Sequence, residues 1–292
     1  MFILGVRREN IFSPNRVEGD RAIFETVGRC VTGSEDMLFK IDESEFALDG
    51  VRDETMIDAV FHMCRSDKAL ERLEKLEKRG VTVINTTRSV LNCRRSTQVS
   101  LLKGLDVSFA GSVVVNTDNR SEINWNKYPC WVKRGDSHSL EKDDVCFAVD
   151  KSSCMAALGD MSGRGITEAV LQEHVEGHIL KFYGVGGDRM FYHAFYDMNV
   201  RGKFDDGIHN LTGPVRVDAD RLRKDCSAVA SLLDLDVYGG DAVVTSDGRA
   251  VIIDFNDWPS FGACREQAAR AIAALIREKC GQNEQGGEKK GS

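Results

Sequence analysis

The stretch from Gly239 to Phe261 constrains the fold of this chain more than any other. Two apolar runs, Ala242-Val243-Val244 and Val251-Ile252-Ile253, flank the dipeptide Asp247-Gly248. An Asp-Gly pair between apolar runs is a strong signal for a hairpin with a two-residue turn. The pattern therefore predicts two buried antiparallel strands joined by a tight turn.

Three side chains that carry oxygen atoms lie near the open end of this predicted hairpin. Asp241 begins the first strand, and Asp254 and Asn256 end the second. Asp254 and Asn256 are two residues apart, so they point to the same face of the strand. Mg²⁺ is usually held by one or two carboxylates together with phosphate groups of a substrate. The stretch predicts a magnesium site, and a capped hairpin with acids on its solvent edge is the alternative.

Upstream of residue 90, predicted strands alternate with predicted helices. Helices are expected over about 16–30 and after Ser66-Asp67. The region up to about residue 90 contains no G-x-G-x-x-G dinucleotide fingerprint. The four predicted strands run from Phe2 to Val6, from Met37 to Ile41, from Ala59 to Met63 and from Val81 to Asn85. This alternation is typical of a parallel, doubly wound α/β sheet.

The remainder of the chain predicts a mixed α+β region and a tail. A short helix is expected over 94–102, a hairpin over 181–196, and helices over 217–233 and 265–279. Residues 281–292 are rich in Gly, Glu and Lys, which predicts a disordered tail. We expect an N-terminal Rossmann-like domain at 1–90 and a second domain, of two α+β subdomains, at 91–280.

Bulk composition narrows the partners and the compartment. The net charge of −7 argues against nucleic acid as the main partner. No apolar run reaches the length of about 18–20 residues that a membrane span needs, and the N-terminus lacks the pattern of a signal peptide. Nine dispersed cysteines without a C-x-x-C pair predict reduced thiols in the cytoplasm. The oligomeric state is not predicted.

Three motifs, taken in order, resemble those of the ATP-grasp superfamily. They are Trp131-Val132-Lys133, the run Leu171-Gln172-Glu173-His174-Val175-Glu176-Gly177, and Gly240-Asp241 followed by Ile253-Asp254-Phe255-Asn256-Asp257-Trp258-Pro259. The resemblance covers residues 85–276, and residues 2–85 resemble the Rossmann-like domain that precedes it in many members. It implies an ATP-grasp fold with ATP bound between the two subdomains.

The resemblance also implies roles for individual residues. Lys133 would contact the ATP phosphates, the backbone around Gln172, Glu173, His174 and Val175 would bind adenine, and Glu176 would bind the ribose. One or two Mg²⁺ ions, or Mn²⁺ in their place, would be held by Asp241, Asp254 and Asn256. Many ATP-grasp ligases carry a second phosphate-binding Lys after an Arg-Asp pair near residue 95. Here the residues are Arg94-Arg95-Ser96, so either Arg94 or Arg95 would replace it.

Two branches of the superfamily compete for the reaction. Three segments look like the inositol-trisphosphate 5/6-kinase branch: Ser137-His138, Lys181-Phe182 and the ending Trp258-Pro259-Ser260. This resemblance implies that His138 and Lys181, with His178 as an addition, bind a small-molecule acceptor. The strand end at Asn85-Thr86-Thr87 looks more like the ligases, among them the ribosomal-protein S6 modification (RimK-like) branch. Kinase-type transfer of the γ-phosphate is slightly favoured. The alternatives are a carboxylate–amine (or thiol) ligase that acts through an acyl phosphate, and a catalytically silent nucleotide-binding protein.

Four arginines are further candidates for the acceptor site. Strand ends in open α/β sheets face the ligand cleft, and arginines lie at or near such ends. They are Arg7, Arg8, Arg65 and Arg201. For each one alone, a solvated surface charge is the simpler interpretation.

Overall fold

The computed structural model describes residues 1–48, 54–137, 140–186, 188–195 and 216–288, with the backbone alone for 283–288. Described strands form three four-stranded sheets. The predictions for His138, Arg201 and residues 289–292 therefore lie outside the described residues.

The N-terminal sheet is parallel, as the alternating pattern predicts. Its strands are β1 (Phe2–Arg7), β2 (Met37–Asp42), β3 (Ala59–His62) and β4 (Thr82–Ile84), in the order β2-β1-β3-β4. The connecting helices are α1 (Val17–Val31), α2 (Glu43–Ala47) and α3 (Asp67–Lys78). The strand order changes direction between β1 and β3, which is where ligand clefts form in such sheets.

Two short helices lead into the second sheet. Helix α4 (Thr87–Asn92) is capped by the Thr86 side chain, which accepts from the Ser89 amide, and α5 (Arg95–Leu101) follows it. The second sheet, of order β5-β8-β6-β7, contains β5 (Ser112–Asn116), β6 (Cys130–Arg134), β7 (Val145–Ala148) and β8 (Glu168–Glu173), with α6 (Lys151–Gly163) before β8. We did not predict β7 or α6. The sequence of α6 has little amphipathic periodicity, and its clearest signal is the capping box of Asp150 and Ser153.

The third sheet contains the two strands predicted within the stretch from Gly239 to Phe261. Its strands are β9 (His178–Val185), β10 (Met190–Phe195), β11 (Val237–Val244) and β12 (Ala250–Asp257), in the order β10-β9-β11-β12, all antiparallel. Helix α7 (Ala219–Leu233) precedes β11, and α8 (Arg265–Glu288) follows β12. Helix α8 extends past the expected end near residue 279 into the segment for which a disordered tail is expected.

The predicted two-residue turn of the hairpin is wrong. Five residues, 245–249, separate β11 from β12. The Gly248 amide donates to the Thr245 carbonyl at 2.9 Å and Gly248 has a φ of 85°. A turn of this kind needs a positive φ at one glycine only, whereas the most common two-residue turn needs it at two successive positions.

The N-terminal sheet and the third sheet share one hydrophobic core. Fully buried side chains of β1 and β3 pack with Trp258 and Phe261, which follow β12, and with Ile272 of α8. The rings of Phe61 and Trp258 stack with centroids 6.3 Å apart. Burial of this apolar surface fixes the loop after β12 against the N-terminal sheet.

Candidate active site

Asp241 and Asp254 are directly paired residues of β11 and β12. A β-bulge lies immediately after Asp241. Asn256 Nδ2 donates to Asp254 Oδ2 at 3.1 Å. The predicted convergence of these three side chains is therefore present, although Asp241 lies inside β11, which begins at Val237, and does not begin the strand as we expected.

Gly240 allows the two strands to approach beside this cluster. A Cβ atom at Gly240 would lie 2.1 Å from the carbonyl oxygen of Asp254 and 2.6 Å from the Phe182 ring. No side chain fits in that space. The glycine before Asp241 is thus required by packing, which explains one element of the motif in physical terms.

Lys133 reaches this cluster from the second sheet. Its Nζ donates to Gln172 Oε1 at 2.7 Å and to the carbonyl oxygen of Ile253 at 2.8 Å. Lys133 is 7% exposed, and its burial lowers the pKa of the ammonium to about 8, against the opposing effect of Asp254 and Asp241. A buried cation beside two carboxylates is a suitable partner for a polyphosphate.

Arg95 is a second cation at the cluster, and Arg94 is not. Arg95 is 8% exposed, and its Nε lies 3.6 Å from Asp254 Oδ1 and has no hydrogen-bond partner. Its Nη1 donates to the carbonyls of Arg134 and Ser137. Arg94 points away and pairs with Asp67 at 2.9 Å on the exposed surface. The sequence alone left open which of the two arginines lies at the cluster, and the start of α5 places Arg95 there.

Gln98 fixes the orientation of α5, and sequence reasoning missed it. Its side-chain amide donates to the carbonyl of Phe255 at 2.6 Å and to that of Cys93 at 2.8 Å. Gln98 and Arg95 are three residues apart and so share one face of the helix. The only sequence signal for Gln98 is this spacing from an arginine.

Lys181 lies next to Asp241 on β9. The two are directly paired across the strands, and Nζ lies 2.6 Å from Asp241 Oδ1. Burial lowers the pKa of Lys181, but the attraction of Asp241 outweighs it and the pKa is raised. Lys181 therefore lies beside Asp241, and its role at an acceptor stays a prediction.

The segment predicted to bind adenine comprises the end of β8 and the start of the loop after it. The Gln172 side chain is committed to Lys133 and to Ser112, and Glu173 accepts from the Gly111 amide and from Lys127. His174 accepts from the Trp131 indole at 3.2 Å, and burial lowers its pKa. Val175 is partly buried and Glu176 is exposed. This segment thus borders the cleft between the second and third sheets, and its nucleotide contacts stay a prediction.

The donor atoms present suit Mg²⁺ bound together with phosphates. Two carboxylates and one amide supply the hard oxygen atoms that Mg²⁺ prefers. The Nε of Arg95, which has no hydrogen-bond partner, faces the same cluster. Within the described ranges, no group of three or more His, Cys, Asp or Glu side chains is arranged to hold a metal. The site therefore fits an ion that completes its coordination with phosphate oxygens rather than with protein alone.

The predicted acceptor arginines have varied surroundings. Arg8 pairs with Asp20 at 2.9 Å and also donates to the Met63 carbonyl, and Arg65 forms an ion pair with Asp257. Arg7 pairs with Asp42 at 2.9 Å with both side chains partly exposed. Arg8 and Arg65 are therefore held in interior ion pairs and are not surface charges. The pair of Arg8 is with Asp20 of α1, whereas the pair of Arg65 is with Asp257 at the end of β12.

A cavity of about 350 Å³ lies beside these arginines, at the carboxyl ends of β1 and β2 and the start of α1. Its lining includes Arg7, Val17 and Arg21. Helix α1 also packs Gly19 against Ser260, and a Cβ atom on Gly19 would lie 3.0 Å from the Ser260 Cβ. Ser260 follows Asn256 by four residues. Arg8, which also lines the cavity, connects it to the loop after β12, because its Nη2 donates to the Trp258 carbonyl at 3.5 Å.

No model of a known protein family matches the chain, and no curated protein matches its sequence. Solved structures do match. D-alanine–D-alanine ligase from Bacillus anthracis complexed with ATP has a TM-score of 0.69 at 11% identity, over 98% of this chain and 99% of that one. The RimK domain protein ATP-grasp from Sphaerobacter thermophilus has a TM-score of 0.63 at 14% identity, over 94% and 99%.

A third match has the same extent. The ATP-grasp ligase PsnB complexed with minimal precursor has a TM-score of 0.60 at 13% identity, over 95% of this chain and 98% of that one. The correspondence covers nearly the full length of every chain compared, including the N-terminal parallel sheet. Together with the order of the three motifs, it shows that this chain has the ATP-grasp fold.

Proposed function

We propose that the protein is an ATP-dependent, ADP-forming ligase that activates a carboxylate as an acyl phosphate. The observation that carries the proposal is the convergence of Lys133 and Arg95 with Asp254 in the cleft between two sheets. Kinase-type transfer, which the motifs slightly favoured, stays a prediction. The ligase alternative has the better support, because the solved structures named above include two ligases and a RimK domain protein.

The chemistry follows from the charges at the site. An oxygen of the acceptor carboxylate attacks the γ-phosphorus of ATP, and the bond from that phosphorus to the β,γ-bridging oxygen breaks as ADP leaves. An amine or thiol then displaces phosphate from the acyl phosphate. Lys133 and Arg95 stabilise the negative charge of the transferred group by fixed electrostatic contacts. Mg²⁺ held at the cluster that contains Asp254 and Asn256 would neutralise further phosphate charge.

The cavity beside α1 is the proposed acceptor site. Among the described residues, no carboxylate lies within ion-pair distance of Arg21, which lines the cavity and is exposed. Arg7 is held by a partly exposed pair with Asp42, a contact worth about 0–1 kcal/mol. Both guanidinium groups are therefore accessible to a carboxylate. We expect Arg21→Gln to raise the KM of the acceptor and to leave the KM of ATP unchanged.

One experiment separates the three reactions. The protein is incubated with ATP, Mg²⁺, pooled cell metabolites and hydroxylamine, and the products are identified by mass spectrometry. A hydroxamate shows an acyl phosphate and hence a ligase. A stable gain of one phosphoryl group on a metabolite shows a kinase. No consumption of ATP supports the silent nucleotide-binding protein.

Asp254→Asn is the control for the proposed metal site. If Mg²⁺-dependent ATP turnover were unchanged in this variant, the role given to Asp254 would be wrong.

The division into domains at 1–90 and 91–280 and a cytoplasmic location remain part of the proposal. All nine cysteines are free thiols, which supports a reducing compartment. None of the described helices is long and apolar enough to cross a membrane.

A further inference from the structure

Lys181, Asp241 and Asp254 form one row across three adjacent strands. Lys181 of β9 pairs directly with Asp241 of β11, and Asp241 pairs directly with Asp254 of β12. Directly opposed residues of antiparallel strands place their side chains on the same face of the sheet. Asp241 therefore lies between a cation on one side and a carboxylate on the other.

The carboxylate of Asp241 is engaged by Lys181. The two charged groups are 2.6 Å apart, and the side chains are 13% and 26% exposed, respectively. Asp241 is a direct cross-strand neighbour of Lys181, so the backbone register holds the two side chains together. A partly buried ammonium that loses its counter-ion bears a desolvation cost. We therefore expect the pair to persist when a nucleotide enters the cleft.

This pairing leaves a small set of donors for divalent ions. The other two donors are Asn256, which contacts Asp254 Oδ2 at 3.1 Å, and Asp254, whose Oδ1 lies at the longer distance of 3.6 Å from Arg95 Nε. Over the described parts of the chain, no cluster of three or more acidic, His or Cys side chains is available. One carboxylate and one amide, completed by phosphate oxygens and water, are enough for one Mg²⁺.

We propose that the site binds a single divalent ion, at Asp254 and Asn256, and that the ammonium of Lys181 takes the electrostatic place of a second ion at Asp241. The inference rests on the proposed function, and it specifies the metal content of that site. It also predicts that Asp241 becomes a metal ligand when the ammonium is removed.

The experiment counts ions rather than turnover. Mn²⁺ is added to the protein with adenylyl imidodiphosphate, retained metal is measured by equilibrium dialysis, and electron paramagnetic resonance distinguishes an isolated ion from a coupled pair. We expect one isolated ion in the wild type and a coupled pair in Lys181→Met. Asp241→Asn should retain one ion. Lys78→Met, which removes an exposed lysine of α3 paired with Glu74, is the control and should also retain one.

A coupled pair in the wild type overturns the inference, and so does a single ion in both Lys181→Met and the second variant Lys181→Gln. The wild-type measurement requires no substitution, so it does not depend on the folding of a variant. Absence of any nucleotide-dependent Mn²⁺ in the wild type overturns the proposed function and this inference with it. A pair in the wild type leaves the proposed function intact, so the two failures are distinguishable.

Discussion

Lys133 of β6 donates a 2.8 Å hydrogen bond to the backbone carbonyl of Ile253, the residue before Asp254 on β12. The bond joins the second sheet to the third at the proposed phosphate site. A parallel bridge between Phe109 and Ile252 joins the segment before β5 to the same strand. The cleft is thus closed at its floor by contacts to β12, and the charged groups from both sheets have fixed separations.

ATP binding should take up a proton through Lys133. Burial holds the pKa of Lys133 near 8, so about half of the free protein carries the neutral amine at pH 8. Phosphate beside the amine favours its charged form and raises the pKa. We therefore expect proton uptake on binding near pH 8, and weaker ATP binding as the pH rises further. Calorimetry at pH 8 in buffers of different ionisation enthalpy measures the uptake.

The matched variant for this test is Lys133→Met, which should abolish the uptake and weaken ATP binding. Lys142→Met, which changes a lysine of the 3₁₀ turn before β7, is the control and should retain the proton uptake. Equal uptake by the wild type and Lys133→Met would show that another group titrates.

Arg95→Gln and Arg94→Gln should have opposite outcomes although the residues are adjacent. Arg95 faces Asp254, whereas Arg94 pairs with Asp67 on the surface. Removal of one preorganised charge at a transferring group costs about 10²–10³-fold in turnover, and we expect this of Arg95→Gln. Arg94→Gln should stay within about twofold, because an exposed pair contributes little. Steady-state ATP consumption measures both, and a loss confined to Arg94→Gln would reverse the assignment.

Asn85→Ala should destabilise the junction between the N-terminal sheet and β11. Asn85 is 1% exposed, its Nδ2 donates to the Val237 carbonyl at 2.8 Å, and its Oδ1 accepts from the Val237 amide at 2.8 Å. The variant leaves these buried backbone groups unsatisfied, at a cost of about 2–4 kcal/mol. Urea denaturation measures the free energy of unfolding. Asn126→Ala, at an exposed position, is the control, and an equal small change in both variants would contradict the prediction.

Gly240→Ala and Gly159→Ala should change stability in opposite directions. A Cβ at Gly240 would contact the Asp254 backbone, so we expect destabilisation by about 1–3 kcal/mol and displaced metal ligands. A Cβ at Gly159 in α6 would meet nothing within 4 Å, and replacing a helical Gly by Ala should stabilise by about 1 kcal/mol. Thermal unfolding compares them. A neutral effect of Gly240→Ala would show that β11 and β12 can separate without cost.

Local patterns were sufficient for much of the architecture. The strands at 2–6, 37–41 and 59–63 and the helix over 16–30 were predicted to within about two residues, because alternation and amphipathic spacing are written in consecutive residues. Helix α6 was missed because its apolar residues do not follow a helical period. The hairpin turn was misjudged because Asp-Gly also suits a longer loop with one glycine at positive φ.

The sequence by itself determined the ATP-grasp resemblance, the parallel N-terminal sheet, and the pairing of Asp241 and Asp254 near Asn256, since these depend on residue type, order and spacing. Only the tertiary structure decided that Arg95 faces the cleft while Arg94 does not, and that Lys181 engages Asp241. The physical reason for the first is that Arg94 is the N-cap of α5, with extended backbone, whereas Arg95 is its first helical residue, so the two side chains leave the chain in different directions. Cross-strand partners are fixed by the register between strands that lie far apart in the chain. The periodicity of a single sequence specifies neither the direction of an individual side chain at a helix start nor the register between distant strands.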